Sequence, residues 1–269
     1  MKLKTILIAL AMALVPGPVA RGQAARGIEI PMKARFHLFL LAGQSNMAGR
    51  GDVEPEDRQA VPRVLMLARD GTWQPAVDPM HYDKPSAGVG PGRTFGLILA
   101  RHDTNITIGL IPAACGGSPI STWEPGAFFD QTASHPYDDA VQRAKLAMKQ
   151  GTLKAILWHQ GESDCHETLA PAYKTNLLQL IARFRQDLGD PNLPFLVGQL
   201  GQFAGAPWTD YTRMVNDAHI AVAKEVSGVA FVPADGLTAK TDRLHFDARS
   251  QREFGARYAE AYLKRLAPR

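Results

Sequence analysis

"FLLAGQSNMAGRG" (39–51) runs as an apolar strand to Ala42, breaks at Gly43 and turns into a polar corner of Gln44, Ser45 and Asn46. A strand that stays apolar instead of alternating is buried on both faces, as a parallel strand covered by helices is. Its carboxyl end is then a place where ligands bind. A serine at such a corner is most often a helix N-cap. It becomes a candidate for chemistry only if other residues of the chain answer to it.

Four more runs have the same character: "ITIGLIPAA" (106–114), "LKAILWHQG" (153–161), "PFLVGQLG" (194–201) and "VAFVPADG" (229–236). Between them lie helical patterns. In 171–188, Tyr173, Leu177, Leu180, Ile181, Phe184 and Leu188 share one face before Gly189 and Pro191 stop the helix. Tyr211, Val215, Ala218 and Val222 repeat the pattern, as do Phe254, Tyr258 and Tyr262 in a last helix that Ser250 and Glu253 would open as a capping box. The alternation predicts one α/β domain with a five-stranded, doubly wound parallel sheet. Residues 52–92 interrupt it: "RVLMLARDGTWQPAV" predicts a hairpin turning at Asp70-Gly71, inserted after the first strand.

The chain has 269 residues, 45% hydrophobic and 21% charged, enough for one sizeable core. Lys2 and Lys4 precede the apolar run "ILIALAMALV" and a small-residue stretch, which reads as a secretory signal peptide over 1–24, cleaved after Ala24. The expected destination is the periplasm or the exterior, with no membrane attachment after cleavage. Removing Lys2, Lys4 and Arg21 from the formal +4 leaves about +1. With basic residues scattered and no nucleic-acid motif, a nucleic-acid partner is excluded. Export would permit a disulfide between Cys115 and Cys165, and two free thiols are an equal alternative.

Near the other end, "TDRLHFD" answers to Ser45 by placing Asp242 three residues before His245, just ahead of the last helix. A serine hydroxyl becomes a nucleophile when a base takes its proton and a carboxylate orients the base. An oxyanion also needs donors. "AACGGSPISTW" offers backbone N–H groups at Gly116 and Gly117, and "WHQGESD" offers the Gln160 amide beside the Ser45 N–H. Glu162 and Asp164 compete with Asp242 for His245, and Asp242 is preferred. Glu162 then supports the site loops, and His159 points away from Gln160 as a structural histidine. No zinc spacing occurs, so no metal or other cofactor is expected. "GVGPGRTFG" (88–96) has neither a P-loop lysine nor a strand directly before it, and reads as the start of a helix.

"GQSNMAG", "GGSPISTW", "WHQGESD" and "DRLH" together resemble the blocks of the SGNH hydrolase superfamily, specifically its sialate O-acetylesterase-like, carbohydrate acetylesterase branch, over roughly 36–265. The resemblance implies a flavodoxin-like three-layer α/β/α sandwich that hydrolyses acetyl esters of sugars without a metal. It implies Ser45 as nucleophile, His245 as base, Asp242 as orienting acid, and the Ser45 N–H, Gly116 or Gly117 and Gln160 as oxyanion donors. Gln44 stands where the wider superfamily has Asp, and Gln160 where it has Asn, as in the acetylesterase branch. Gln44 and Asn46 flank the nucleophile as supports. An α/β-hydrolase elbow is absent, since Met47 stands where its second glycine belongs. Trp123, Trp208 and Tyr211 are candidates for stacking on an acetylated carbohydrate, and Arg50 and Arg93 for holding a sialic acid carboxylate. A lipase or thioesterase of the same superfamily, an O-acetyltransferase and a non-catalytic carbohydrate-binding protein are the rival readings.

Overall fold

The computed structural model describes residues 28–266, so the leader read at 1–24 lies outside the described residues. In chain order its main elements are β1 (Phe36–Gly43), α1 (Ser45–Ala48), β2 (Val64–Leu67), β3 (Trp73–Pro75), α2 (Pro91–His102), β4 (Thr107–Pro112), α3 (Pro136–Met148), β5 (Thr152–His159), α4 (Tyr173–Asp187), β6 (Phe195–Gly198), α5 (Asp210–Glu225), β7 (Val229–Val232) and α6 (Ala248–Arg265). They form one sheet in the order β3-β2-β4-β1-β5-β6-β7. All neighbours are parallel except β2 and β3.

The runs stay apolar because each strand feeds two cores. In β1, Leu38, Leu40 and Ala42 enter the core shared with α3, α4 and α5, while Phe39 and Leu41 enter the one shared with α2 and α6. Helices therefore cover both faces, the three-layer arrangement expected. β4 and β5 flank β1 and the chain crosses from one to the other, so the carboxyl ends of these three strands meet at the point where the winding reverses.

The sheet has seven strands, which corrects the expected five. The hairpin turns at Asp70-Gly71 as expected, but its first strand, with all four residues buried, extends the sheet beside β4 and carries β3 to the edge. The helix α3 left no clear pattern in the sequence because much of its buried face is alanine: Ala140, Ala144 and Ala147 beside Tyr137. The last helix is capped differently from expectation. Asp247 accepts the Ser250 N–H at 2.8 Å, and the Ser250 hydroxyl accepts the Thr238 N–H instead. Glu253 pairs with Arg257, so no capping box forms.

Candidate active site

Gly43 sits at φ +125, and a Cβ there would collide with the His159 carbonyl. That close approach lets β1 end tightly against β5 and turns Ser45 into the first residue of α1. The Ser45 N–H is thereby one of the free donors at the start of a helix. It has no acceptor among the described residues.

His245 Nε2 lies 3.0 Å from Ser45 Oγ, and His245 Nδ1 lies 2.7 Å from Asp242 Oδ2. The two side chains come from one short loop. The other carboxylate oxygen of Asp242 accepts the Leu244 and His245 N–H groups, both at 2.9 Å, with Arg243 between at a left-handed φ of 57. Partial burial opposes the charge of Asp242. The His245 N–H, its imidazole and the Leu244 N–H overcome that burial and hold the carboxyl at about 2. Nδ1–H donates to this carboxylate, so Nε2 presents its lone pair to the Ser45 hydroxyl. Of the three carboxylates weighed against one another, Asp242 is the one that meets His245. Glu162 accepts from Asn46 Nδ2 at 2.6 Å, and Asp164 accepts from the Ile120 N–H at 3.0 Å.

The glycine pair divides its tasks. Gly116 donates its N–H to Asp83 Oδ2 at 2.8 Å, so that donor is committed. Gly117, at φ +88, has an N–H with no acceptor among the described residues. The left-handed φ is what needs glycine there, since the nearest atom to an added Cβ is the movable end of the Gln131 side chain.

Gln160 departs from its expected place. Fully buried, its amide donates to Asp164 Oδ2 at 2.5 Å, Ser118 O at 3.0 Å and Gln44 Oε1 at 3.2 Å, and accepts from Tyr173 OH at 2.8 Å. Two amide hydrogens facing those acceptors leave none for an oxyanion. Burial lifts the Asp164 carboxyl to about 6, against the pull of the Gln160 amide and the Ile120 N–H. Gln44 completes this buried tie by accepting from the Gly161 N–H at 3.3 Å.

The sequence model of the carbohydrate esterase, sialic acid-specific acetylesterase family matches residues 35–264. The chain belongs to this family. A probable carbohydrate esterase of Arabidopsis thaliana is 35% identical over 270 residues, covering 92% of this chain and 97% of that protein. The solved structure of the same plant protein aligns with a TM-score of 0.77 at 33% identity, over 88% of this chain and 100% of the other. The structure of NanS shares the fold at 18% identity and a TM-score of 0.66, over 87% of this chain and 98% of its own. A carbohydrate acetylesterase from Xanthomonas citri does so at 20% identity and 0.67, over 85% of this chain and 56% of its own.

Of the residues read as candidate ligand contacts in this family member, Trp123, Arg50 and Arg93 are structural instead. Trp123 is fully buried, edge-on to Trp158, with its N–H donated to Ser118 Oγ at 3.0 Å, so it cannot stack on a sugar. Arg50 is buried and paired with Asp83 at 2.7 Å; Arg93 is buried and donates to the Gln59 carbonyl at 2.7 Å. Neither is free to hold a substrate carboxylate. Trp208 is half-buried, its N–H on the Gly201 carbonyl at 2.7 Å, and half-buried Tyr211 packs beside the same core. His159 is the structural histidine expected, its Nε2 donating to the Gln199 carbonyl at 3.0 Å and its ring edge-on to Phe246 and Phe254.

Cys115 and Cys165 are free, so the bridge between them is not formed. Burial pushes their thiols up to about 11 and about 12, which keeps both protonated. Among the described residues no three His, Cys, Asp or Glu side chains gather as a metal site, and no helix is long and apolar enough to cross a membrane. Sequence reasoning missed Asp83, which sits outside every recognisable block yet anchors Gly116, and Gln251, which donates to the Asn46 carbonyl at 3.1 Å from inside α6. Neither carries a local signal, because each acts across the fold.

Proposed function

We propose that the protein is an exported serine esterase that removes acetyl groups from carbohydrate hydroxyls through an acyl-enzyme. The observation that carries the reading is the unbroken hydrogen-bonded line from Ser45 Oγ through His245 to Asp242, 3.0 and 2.7 Å long. In the first half-reaction Ser45 Oγ attacks the acetyl carbonyl carbon as its proton passes to His245 Nε2. Asp242 steadies the imidazolium, and the Ser45 and Gly117 N–H groups receive the oxyanion. Collapse breaks the bond to the sugar oxygen, which takes the proton from His245, and leaves an acetyl group on Ser45. Water then attacks that ester, His245 taking its proton and returning it to Ser45 Oγ as acetate departs.

The family, described as sialic acid-specific, and the plant relative, described as a probable carbohydrate esterase, support a sugar acetyl ester as substrate. The leader read in the sequence supports export. Ser45→Ala tests the reading: hydrolysis of p-nitrophenyl acetate disappears while the thermal unfolding midpoint holds. A serine-reactive phosphonate labels Ser45 and no other residue. Retained turnover in Ser45→Ala removes the nucleophile and with it the mechanism.

A further inference from the structure

The hairpin and the chain that follows it, the insertion that breaks the doubly wound pattern, build one wall of a cavity of about 380 Å³. The opposite wall is α3, and the floor is the chain after β4, including Cys115. Asp83 stands in this cavity, and its carboxylate accepts the N–H of Gly116 at 2.8 Å. The cavity therefore adjoins the same glycine turn whose next N–H faces no protein acceptor.

The chemistry of the wall is that of a sugar site. Tyr82 lines the cavity and keeps 37% of its surface exposed, and its ring is held by the guanidinium of Arg143 at 5.0 Å and that of Arg69 at 5.8 Å. Arg143 is itself fixed on the carbonyls of Leu67 and Pro112 at 2.7 and 2.8 Å, so the Tyr82 side chain is held in place and loses little freedom on binding. The charges are mixed: Arg69 and Arg143 are balanced by Asp70 and Asp139 in the lining, while Asp83 is already neutralised by Arg50 at 2.7 Å. No net sign favours a phosphate or a carboxylate. The volume is at the small-ligand end of binding pockets, suited to one ring.

We propose that this cavity is a subsite for the sugar unit next to the acetylated one, so that the protein acts on oligomeric glycans in preference to free monosaccharides. The inference rests on the esterase reading above.

Acetate release is measured for wild type, Tyr82→Ala and Arg69→Ala on acetylated xylose and xylotriose, on 9-O-acetyl sialic acid free and as the end of sialyllactose, and on p-nitrophenyl acetate. Wild type prefers at least one oligomer to its monomer by tenfold or more in kcat/KM. Each variant lowers kcat/KM for that oligomer, relative to p-nitrophenyl acetate, by fivefold or more, through KM. Equal losses on both substrates, no loss, or no preference by the wild type overturns the subsite while leaving the esterase standing. A wild type that cleaves none of the esters, p-nitrophenyl acetate included, brings down both.

Discussion

Asn46 Oδ1 accepts the N–H of Phe246 at 3.1 Å, joining the residue after the serine to the residue after the histidine. The Asn46 amide donates to the Leu244 carbonyl at 3.1 Å and to Glu162 at 2.6 Å. One side chain thus grips the loop on both sides of His245 and refers it to the turn that carries Ser45. A misplacement of about 1 Å between reacting groups can cost on the order of 100-fold in rate. Asn46→Ala therefore lowers kcat for p-nitrophenyl acetate by roughly 10- to 100-fold with little change in KM. Steady-state kinetics checks this, and an unaltered kcat would show that the loop holds its place without the clamp.

Asp242 and Glu162 separate by the same geometry. Asp242 touches the imidazole at 2.7 Å, whereas Glu162 reaches it only through Asn46. In Asp242→Asn the amide can present N–H to Nδ1 and select the wrong tautomer, with a loss on the order of 10³- to 10⁴-fold in kcat. Glu162→Gln keeps an acceptor for Asn46 and costs under roughly 10-fold. A larger loss in Glu162→Gln than in Asp242→Asn would exchange their roles. Because Asp242 is held at about 2, its protonation contributes nothing to an acid limb of the rate profile above about pH 4.

Gln160 marks where reading the sequence stopped. The blocks "GQSNMAG" and "DRLH" placed Ser45, His245 and Asp242 correctly in space because a serine at a strand end and an Asp-x-x-His loop before the last helix each leave one local signature. Gln160 has the right strand end too. Which way its amide turns depends on Asp164 and Gln44, one in its own block and one 116 positions away, and no spacing reports that. Trp123 failed for the same reason: a loop tryptophan and a buried one look alike until Trp158 packs against it. The doubly wound core was legible because β1, β4, β5, β6 and β7 are buried on both faces. The two added strands, β2 and β3, are legible only as a hairpin, since sequence does not say that "VLML" pairs with β4.

The buried place of Gln160 has a consequence for stability. Gln160→Ala leaves Asp164, the Ser118 carbonyl, Gln44 and the Tyr173 hydroxyl short of a partner, and each buried group so stranded costs about 1–3 kcal/mol before relaxation. The unfolding midpoint in urea falls by the equivalent of several kcal/mol. The reverse pattern, an unchanged midpoint with kcat down by about 100-fold or more, would return Gln160 to the role of oxyanion donor.

Asp78 sets a pH dependence that has nothing to do with the triad. Burial, with Asp57 nearby, lifts its carboxyl to about 8 against the pull of Arg93, the Gly90 N–H and Arg252. The unfolded chain releases that proton near the ordinary value of about 4. Between about pH 4 and 8 the folded protein therefore binds more protons at this site than the unfolded chain does, and the contribution of Asp78 to stability declines as pH rises through that window. Below about pH 4 the contribution is whole. Asn is neutral at every pH, and its oxygen can keep the Gly90 N–H. Asp78→Asn therefore unfolds at a higher temperature than wild type at pH 8, with the gap narrowing as the pH is lowered toward 5. Thermal unfolding of both proteins across that range measures the slope, and a gap that is constant or that widens toward acid would mean that Asp78 is ionised in the folded state.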